Sequence, residues 1–115
     1  MKTIHFIVII LIYAFYSCQT TDVKTETPEC IEIQIIEFEH DVNFCETGKS
    51  VYRYIFQDQF VYVFNPGDCG ADMMSAVYDE NCNSLCGLGG IAGNIMCNDE
   101  NFSEGSTDET LIWEN

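Results

Sequence analysis

Seven cysteines carry most of the reactive chemistry in this chain: Cys18, Cys30, Cys45, Cys69, Cys82, Cys86 and Cys97. An odd count asks which thiol stands apart. Cys18 is separated from the rest by a polar stretch, and the other six fall within residues 30–97. Six cysteines in so short a segment point to disulfides in an oxidising compartment. The order of residues leaves the connectivity open, and two pairings are expected: Cys86 with Cys97 across a glycine-rich stretch, and Cys30 with Cys45 across a helix. A structural zinc site is a poorer fit. Cys82 and Cys86 are separated by three residues rather than two, and no second pair mirrors them. The same spacing argues against a redox dithiol.

Other reactive groups are sparse. A serine or cysteine nucleophile needs a base, normally histidine. After the first 17 residues only His40 remains, flanked by Glu39 and Asp41. No catalytic residue is assigned, and an enzyme is not expected. Asp79, Asn81 and Asn83 alternate like the opening of a calcium loop. Ser84 and Gly90 stand where that loop needs glycine and a bidentate glutamate. Calcium is therefore a minor expectation, with Asp79, Asn81 and Asn83 as its candidate ligands. Gly87, Gly89, Gly90 and Gly93 lie within seven residues. They lack the Lys-Ser/Thr ending of a phosphate loop and the order of a dinucleotide fingerprint. Their freedom at positive φ suits a tight loop over 87–94, a candidate interaction loop.

These groups need a compartment and a scaffold. Residues 1–17 carry Lys2 and then a segment, 4–15, without formal charge. Twelve residues fall short of the ~20 that span a bilayer, and the length suits a signal peptide. The segment closes Ser17-Cys18 and turns polar at Gln19-Thr20-Thr21-Asp22. That junction resembles a bacterial lipoprotein signal, which implies cleavage before Cys18 and fatty acyl chains, such as palmitate, on its sulfur. Two or three chains anchor durably where one does so marginally. Residues 18–29 then read as the lipidated cysteine and a flexible tether, and residues 30–115 as one small domain.

Charge excludes several partners. The chain has 19 Asp plus Glu against four Lys plus Arg, a net −15, and the segment from Cys18 onward carries −16 because only Lys2 precedes it among charged residues. Such a surface repels phosphate backbones, so nucleic acid is excluded. It also repels anionic lipid, so attachment through a basic patch is excluded. Positive partners and cations remain.

Thr27-Pro28-Glu29 reads as a helix start, with Thr27 as cap and Pro28 in the first helical position. Ile31, Ile35, Phe38 and Val42 follow at helical spacing, which predicts a helix over 28–41. Residues 51–56 and 60–64 are dense in β-branched and aromatic side chains, separated by Gln57-Asp58-Gln59, and predict a hairpin. Asn65-Pro66-Gly67-Asp68 is turn chemistry. Residues 73–78 fit either one helical turn or a short strand, 83–86 a short strand, 99–109 a polar and partly mobile segment, and 110–113 a final strand whose Trp113 packs into the sheet. The expected fold is α+β: one N-terminal helix packed on a small antiparallel sheet with a β-hairpin, supported by disulfides.

From Val61 onward the order of features is familiar. Phe64-Asn65-Pro66-Gly67-Asp68-Cys69 leads to Tyr78-Asp79-Glu80-Asn81, then Cys86-Gly87-Leu88-Gly89-Gly90, then Cys97 and Leu111-Ile112-Trp113. This order resembles a family of small uncharacterised lipoproteins of Bacteroidota, over roughly residues 28–113. The chain departs from that pattern in carrying Cys82 where the turn often has glycine. The resemblance implies origin and location, and no activity. The expectation is an outer-membrane lipoprotein of the cell envelope, facing periplasm or cell surface. Its domain is a non-enzymatic accessory module that meets the bilayer through acyl chains on Cys18 and an unknown envelope protein or ligand through its surface. The alternatives are an inhibitor of a hydrolase and a small calcium-binding or calcium-assisted enzyme.

Overall fold

A computed structural model describes residues 27–70 and 72–115. The expected signal peptide over 1–17, the expected lipidation site Cys18 and most of the expected tether over 18–29 lie outside the described residues. Helix α1 (Glu29–His40) opens the domain. Strands β1 (Ser50–Phe56), β2 (Gln59–Asn65), β3 (Met74–Asp79) and β4 (Ser84–Gly89) follow. A small ribbon, β5 (Met96–Cys97) with β6 (Glu100–Asn101), a single helical turn α2 (Phe102–Gly105) and strand β7 (Thr107–Glu114) complete it. Among the described residues no helix is long and apolar enough to cross a membrane.

The main sheet is antiparallel with order β4-β3-β2-β1-β7, a four-stranded meander to which the last strand adds beside β1. Strand outweighs helix. The α+β expectation therefore holds as one helix laid on a predominantly β domain. Of the residues 73–78, those from Met74 on resolve as strand: Val63 and Phe64 pair with Val77 and Ala76, and strand propensity at Val77 and Tyr78 is reinforced by neighbours on both sides.

Strand alternation divides the core into two faces. Val51, Tyr62 and Phe64 point toward α1 and pack on Ile31, Ile35 and Phe38, with Trp113 against the cluster. Phe56, Val61 and Val77 point the other way and are covered by Cys97 and Phe102. The stretch 99–109 is thus more than a polar loop. Phe102 is buried there, edge-on to Phe56 and Tyr54 at 5.0 and 5.2 Å between centroids. Covering a sheet on both sides needs a second apolar plug, and Phe102 supplies it.

Helix α1 starts one residue later than expected. Pro28 is its N-cap, no side chain caps it, and the Pro28 carbonyl accepts from Ile31 and Glu32 at 3.0 Å each. The C-terminal end is closed by a residue that sequence spacing does not flag. Lys49, only 2 % exposed, donates from Nζ to the carbonyls of Phe38 (2.7 Å), Glu39 (3.1 Å) and Asp41 (3.2 Å). Three acceptors match the three donors of an ammonium. A cation at a helix C-terminus also meets the negative end of the dipole.

Three disulfides pair all six cysteines of the described domain: Cys30–Cys82, Cys45–Cys69 and Cys86–Cys97. The Cys86–Cys97 pairing is as expected. Cys30–Cys45 is not formed, and the helix is the reason. Its rise of ~1.5 Å per residue carries the chain ~15 Å from Cys30 by the time α1 ends. Bridged Cα atoms must lie within ~7 Å. Beyond α1, Cys45 is buried and its N–H donates to the Pro66 carbonyl at 3.2 Å, which places it beside the loop that holds Cys69.

The glycine stretch also differs from expectation. Gly87 and Gly89 lie inside β4, and the turn is confined to 90–93. Gly90 and Gly93 take φ of +76° and +60°, where a side chain is strained.

Candidate functional site

The site is built where α1 leaves the sheet. Phe38 comes from the buried face of α1, Phe44 from the loop that follows, Phe64 from the end of β2, and Tyr78 from the end of β3. Phe64 and Tyr78 fall on the same sheet face because Tyr62 pairs with Tyr78 and Phe64 with Ala76. The four rings form an arc, Phe44 to Phe38 to Phe64 to Tyr78, with centroids 5.3, 5.3 and 5.4 Å apart. Tilted and edge-on pairs at this spacing are favourable beyond the area they bury.

This arc lines a cavity of about 190 Å³. Its remaining wall is polar and acidic. Gln34 and Glu37, three residues apart, share one stripe of α1, and Asp41 is the capping residue just beyond its last turn. Pro66, Met74 and Ala76 close the sheet side. Gln34 Oε1 is buried and has no hydrogen-bond partner among the described residues. Asp41 Oδ1 accepts from the backbone and side-chain nitrogens of Asn43, both at 2.9 Å, which fixes the carboxylate.

Disulfides brace the two walls at both ends. Cys30–Cys82 ties the first turn of α1 to the β3–β4 turn. Cys45–Cys69 ties the loop after α1 to the loop after β2. A groove held this way loses little entropy when occupied.

The residues singled out from sequence are dispersed. Asp79, Asn81 and Asn83 come together, but the Asp79 carboxylate closes the β3–β4 turn. Its Oδ1 accepts from the backbone N–H of Asn81 and Asn83 at 2.9 Å each, and its Oδ2 from Asn83 Nδ2 at 3.1 Å. Burial pushes the Asp79 carboxyl up, yet the hydrogen bonds from Asn83 and Asn81 outweigh it and hold the group below its usual range. Among the described residues no three His, Cys, Asp or Glu side chains converge as a metal site. His40 is exposed at the end of α1, its Nδ1 2.9 Å from the Ile36 carbonyl. The 90–93 turn presents Ile91, 86 % exposed, next to Met74, whose Cγ lies against Gly90.

Sequence reasoning missed the groove because its parts carry core signals. Phe38 and Phe64 read as packing residues and are packing residues. Gln34 and Glu37 look like any exposed helical positions, and only their stripe, set beside Asp41 against an aromatic wall, marks them.

A second hollow of about 410 Å³ lies across the sheet near Tyr54, Phe102 and Glu109. Burial, then the charge of Glu109 and a hydrogen bond to its carboxylate, push the Tyr54 phenol up to about 12.

A family profile described as a domain of unknown function (DUF6970) matches residues 34–115. That span takes in both walls of the groove and five of the six domain cysteines. No curated protein and no solved structure matches the chain.

Proposed function

The chain belongs to the DUF6970 family, domains of unknown function, and from that premise we propose that it is the non-enzymatic interaction domain of an exported lipoprotein, receiving its partner in the groove between α1 and β2–β3. The bracing of that groove carries the reading: an aromatic-walled cleft with a disulfide at each end is a pre-formed receptor surface. Pairing of six cysteines supports an oxidising compartment and leaves Cys18 as the odd sulfur, in keeping with acyl chains there and an outer-membrane location in the bacterial envelope. The one imidazole of the described residues, His40, is engaged by a backbone carbonyl at a helix end.

The test is photo-crosslinking in intact cells, with a benzophenone amino acid replacing Phe44 in the groove or Asp58 at the opposite end of the β1–β2 hairpin. A discrete adduct from position 44 and none from position 58 is expected. No adduct, or the same adducts from both, refutes the groove as receptor. Intact mass of the non-reduced native protein tests the anchor: acyl mass on an N-terminal Cys18 is expected, and a chain still starting at Met1 overturns it.

The exposed Ile91 on a short turn favours a second reading, an inhibitor whose 90–93 turn enters the cleft of an envelope hydrolase. Position 91 would then yield the crosslink in place of position 44.

A further inference from the structure

The groove has a chemistry of its own that goes beyond a generic contact surface. Its size comes first: about 190 Å³ is below the ~300–1,000 Å³ that houses a small-molecule ligand. It suits one long side chain. Its lining comes second. Phe38, Phe44, Phe64 and Tyr78 offer aromatic surface, and the electron-rich face of such rings attracts a cation. Glu37 and Asp41 add two carboxylates to the same cavity. Asn43 donates twice to Asp41 Oδ1 and holds the carboxylate in one orientation. Gln34 Oε1 is a buried acceptor without a donor among the described residues, and such a group is costly to leave unpaired. All three features ask for one thing, a planar or compact cation rich in N–H donors.

Among the described residues neither basic side chain supplies that cation. Lys49 lies 5.4 Å from the Phe38 centroid, but its ammonium is spent on three carbonyls and it does not line the cavity. Arg53 stacks on Phe60 at 4.6 Å, outside the lining. With 19 acidic residues in the chain, the field around the groove also draws positive groups toward it.

We infer that the groove is a receptor for a basic side chain of a partner protein, an arginine whose guanidinium meets Glu37, Asp41 and Gln34 while its stem lies along the aromatic arc. Guanidinium fits better than ammonium because its fork of five donors serves several acceptors at once and its plane stacks on rings. This rests on the interaction role proposed above and narrows it to one kind of anchor residue.

The experiment uses the full disulfide-bonded chain, ¹⁵N-labelled, titrated with N-acetyl-arginine methylamide and with the citrulline counterpart, which has nearly the same shape without charge. Amide shifts confined to Gln34, Glu37, Phe44 and Met74, at least ~10-fold weaker binding of citrulline, and severalfold weaker arginine binding at high salt are expected. The Glu37→Gln/Asp41→Asn variant should lose arginine binding severalfold with its amide spectrum otherwise unchanged. Equal binding of citrulline, shifts spread over the acidic surface, or no shift at tens of millimolar arginine overturns the inference. A crosslink from position 44 that persists beside any of those results leaves the groove as a receptor while removing the basic anchor, so the two readings fail separately.

Discussion

Breaking the Cys30–Cys82 bridge tests the scaffold most directly. The bridge joins residues 52 apart in sequence. Chain-entropy reasoning gives about 4 kcal/mol for a loop of that size. The real loop is shorter, because Cys45–Cys69, 24 apart, is nested inside it and takes out nearly half its length. The expected loss for a Cys30→Ser/Cys82→Ser variant is then nearer 3.5 kcal/mol. For a domain of about 85 residues that lowers the Tm by roughly 15–20 °C. Removing Cys86–Cys97, which closes a loop of 11, should cost less, about 2.8 kcal/mol. Position 82 offers an internal control. Cys82 sits at φ +64°, a left-handed conformation that glycine adopts without penalty. A Cys30→Ser/Cys82→Gly variant should therefore recover about 1 kcal/mol over the serine version. The assay is thermal unfolding by far-ultraviolet circular dichroism, without reductant. A larger loss from the Cys86–Cys97 deletion than from the Cys30–Cys82 deletion, or no advantage of glycine at position 82, would refute the reasoning. So would a peptide map that links Cys30 to Cys45.

Lys49→Met removes the donor that three carbonyls share at the end of α1 and should cost about 2–4 kcal/mol, read as a lower midpoint in urea. The β1–β2 turn places Gln57 and Asp58 at φ of +51° and +60°, a two-residue hairpin connection that favours Asn-Gly, so Asp58→Gly should stabilise by about 0.5–1 kcal/mol, and an unchanged or lower Tm speaks against that geometry. Tyr54 has its folded pKa raised from 10.0 to about 12, so the unfolded phenol ionises first. Stability present below pH 10 should fall as pH rises from 10 through 12. Tyr54→Phe should flatten that slope, leaving a remainder from Tyr62, which burial also raises. Loss of the bracing should reach the site as well: the Cys45→Ser/Cys69→Ser variant, folded at low temperature, is expected to give a weaker crosslink from position 44 than the wild type.

Local patterning determined much of this protein. The spacing of Ile31, Ile35 and Phe38 specified a helix and its buried face, because a 3.6-residue period leaves little choice of which side faces the sheet. The β-branched and aromatic run from Val51 to Phe64 specified a hairpin for the same kind of reason, with period two. The acidic surface and the short separation of Cys86 and Cys97 also needed no folded context. Tertiary structure decided the rest. Whether 74–78 became strand depended on β2 and β4 lying on either side. Phe102 became a core residue because the second sheet face needed covering, a demand invisible in a polar stretch. Cys30 chose Cys82 over Cys45 because a rigid helix carries its two ends apart while the sheet brings distant turns together. Lys49 became a helix cap, and Gln34, Glu37 and Asp41 became the wall of a groove, through partners up to 44 residues away along the chain. Periodicity acts over one or two turns of chain, whereas a cavity belongs to surfaces that meet only after folding.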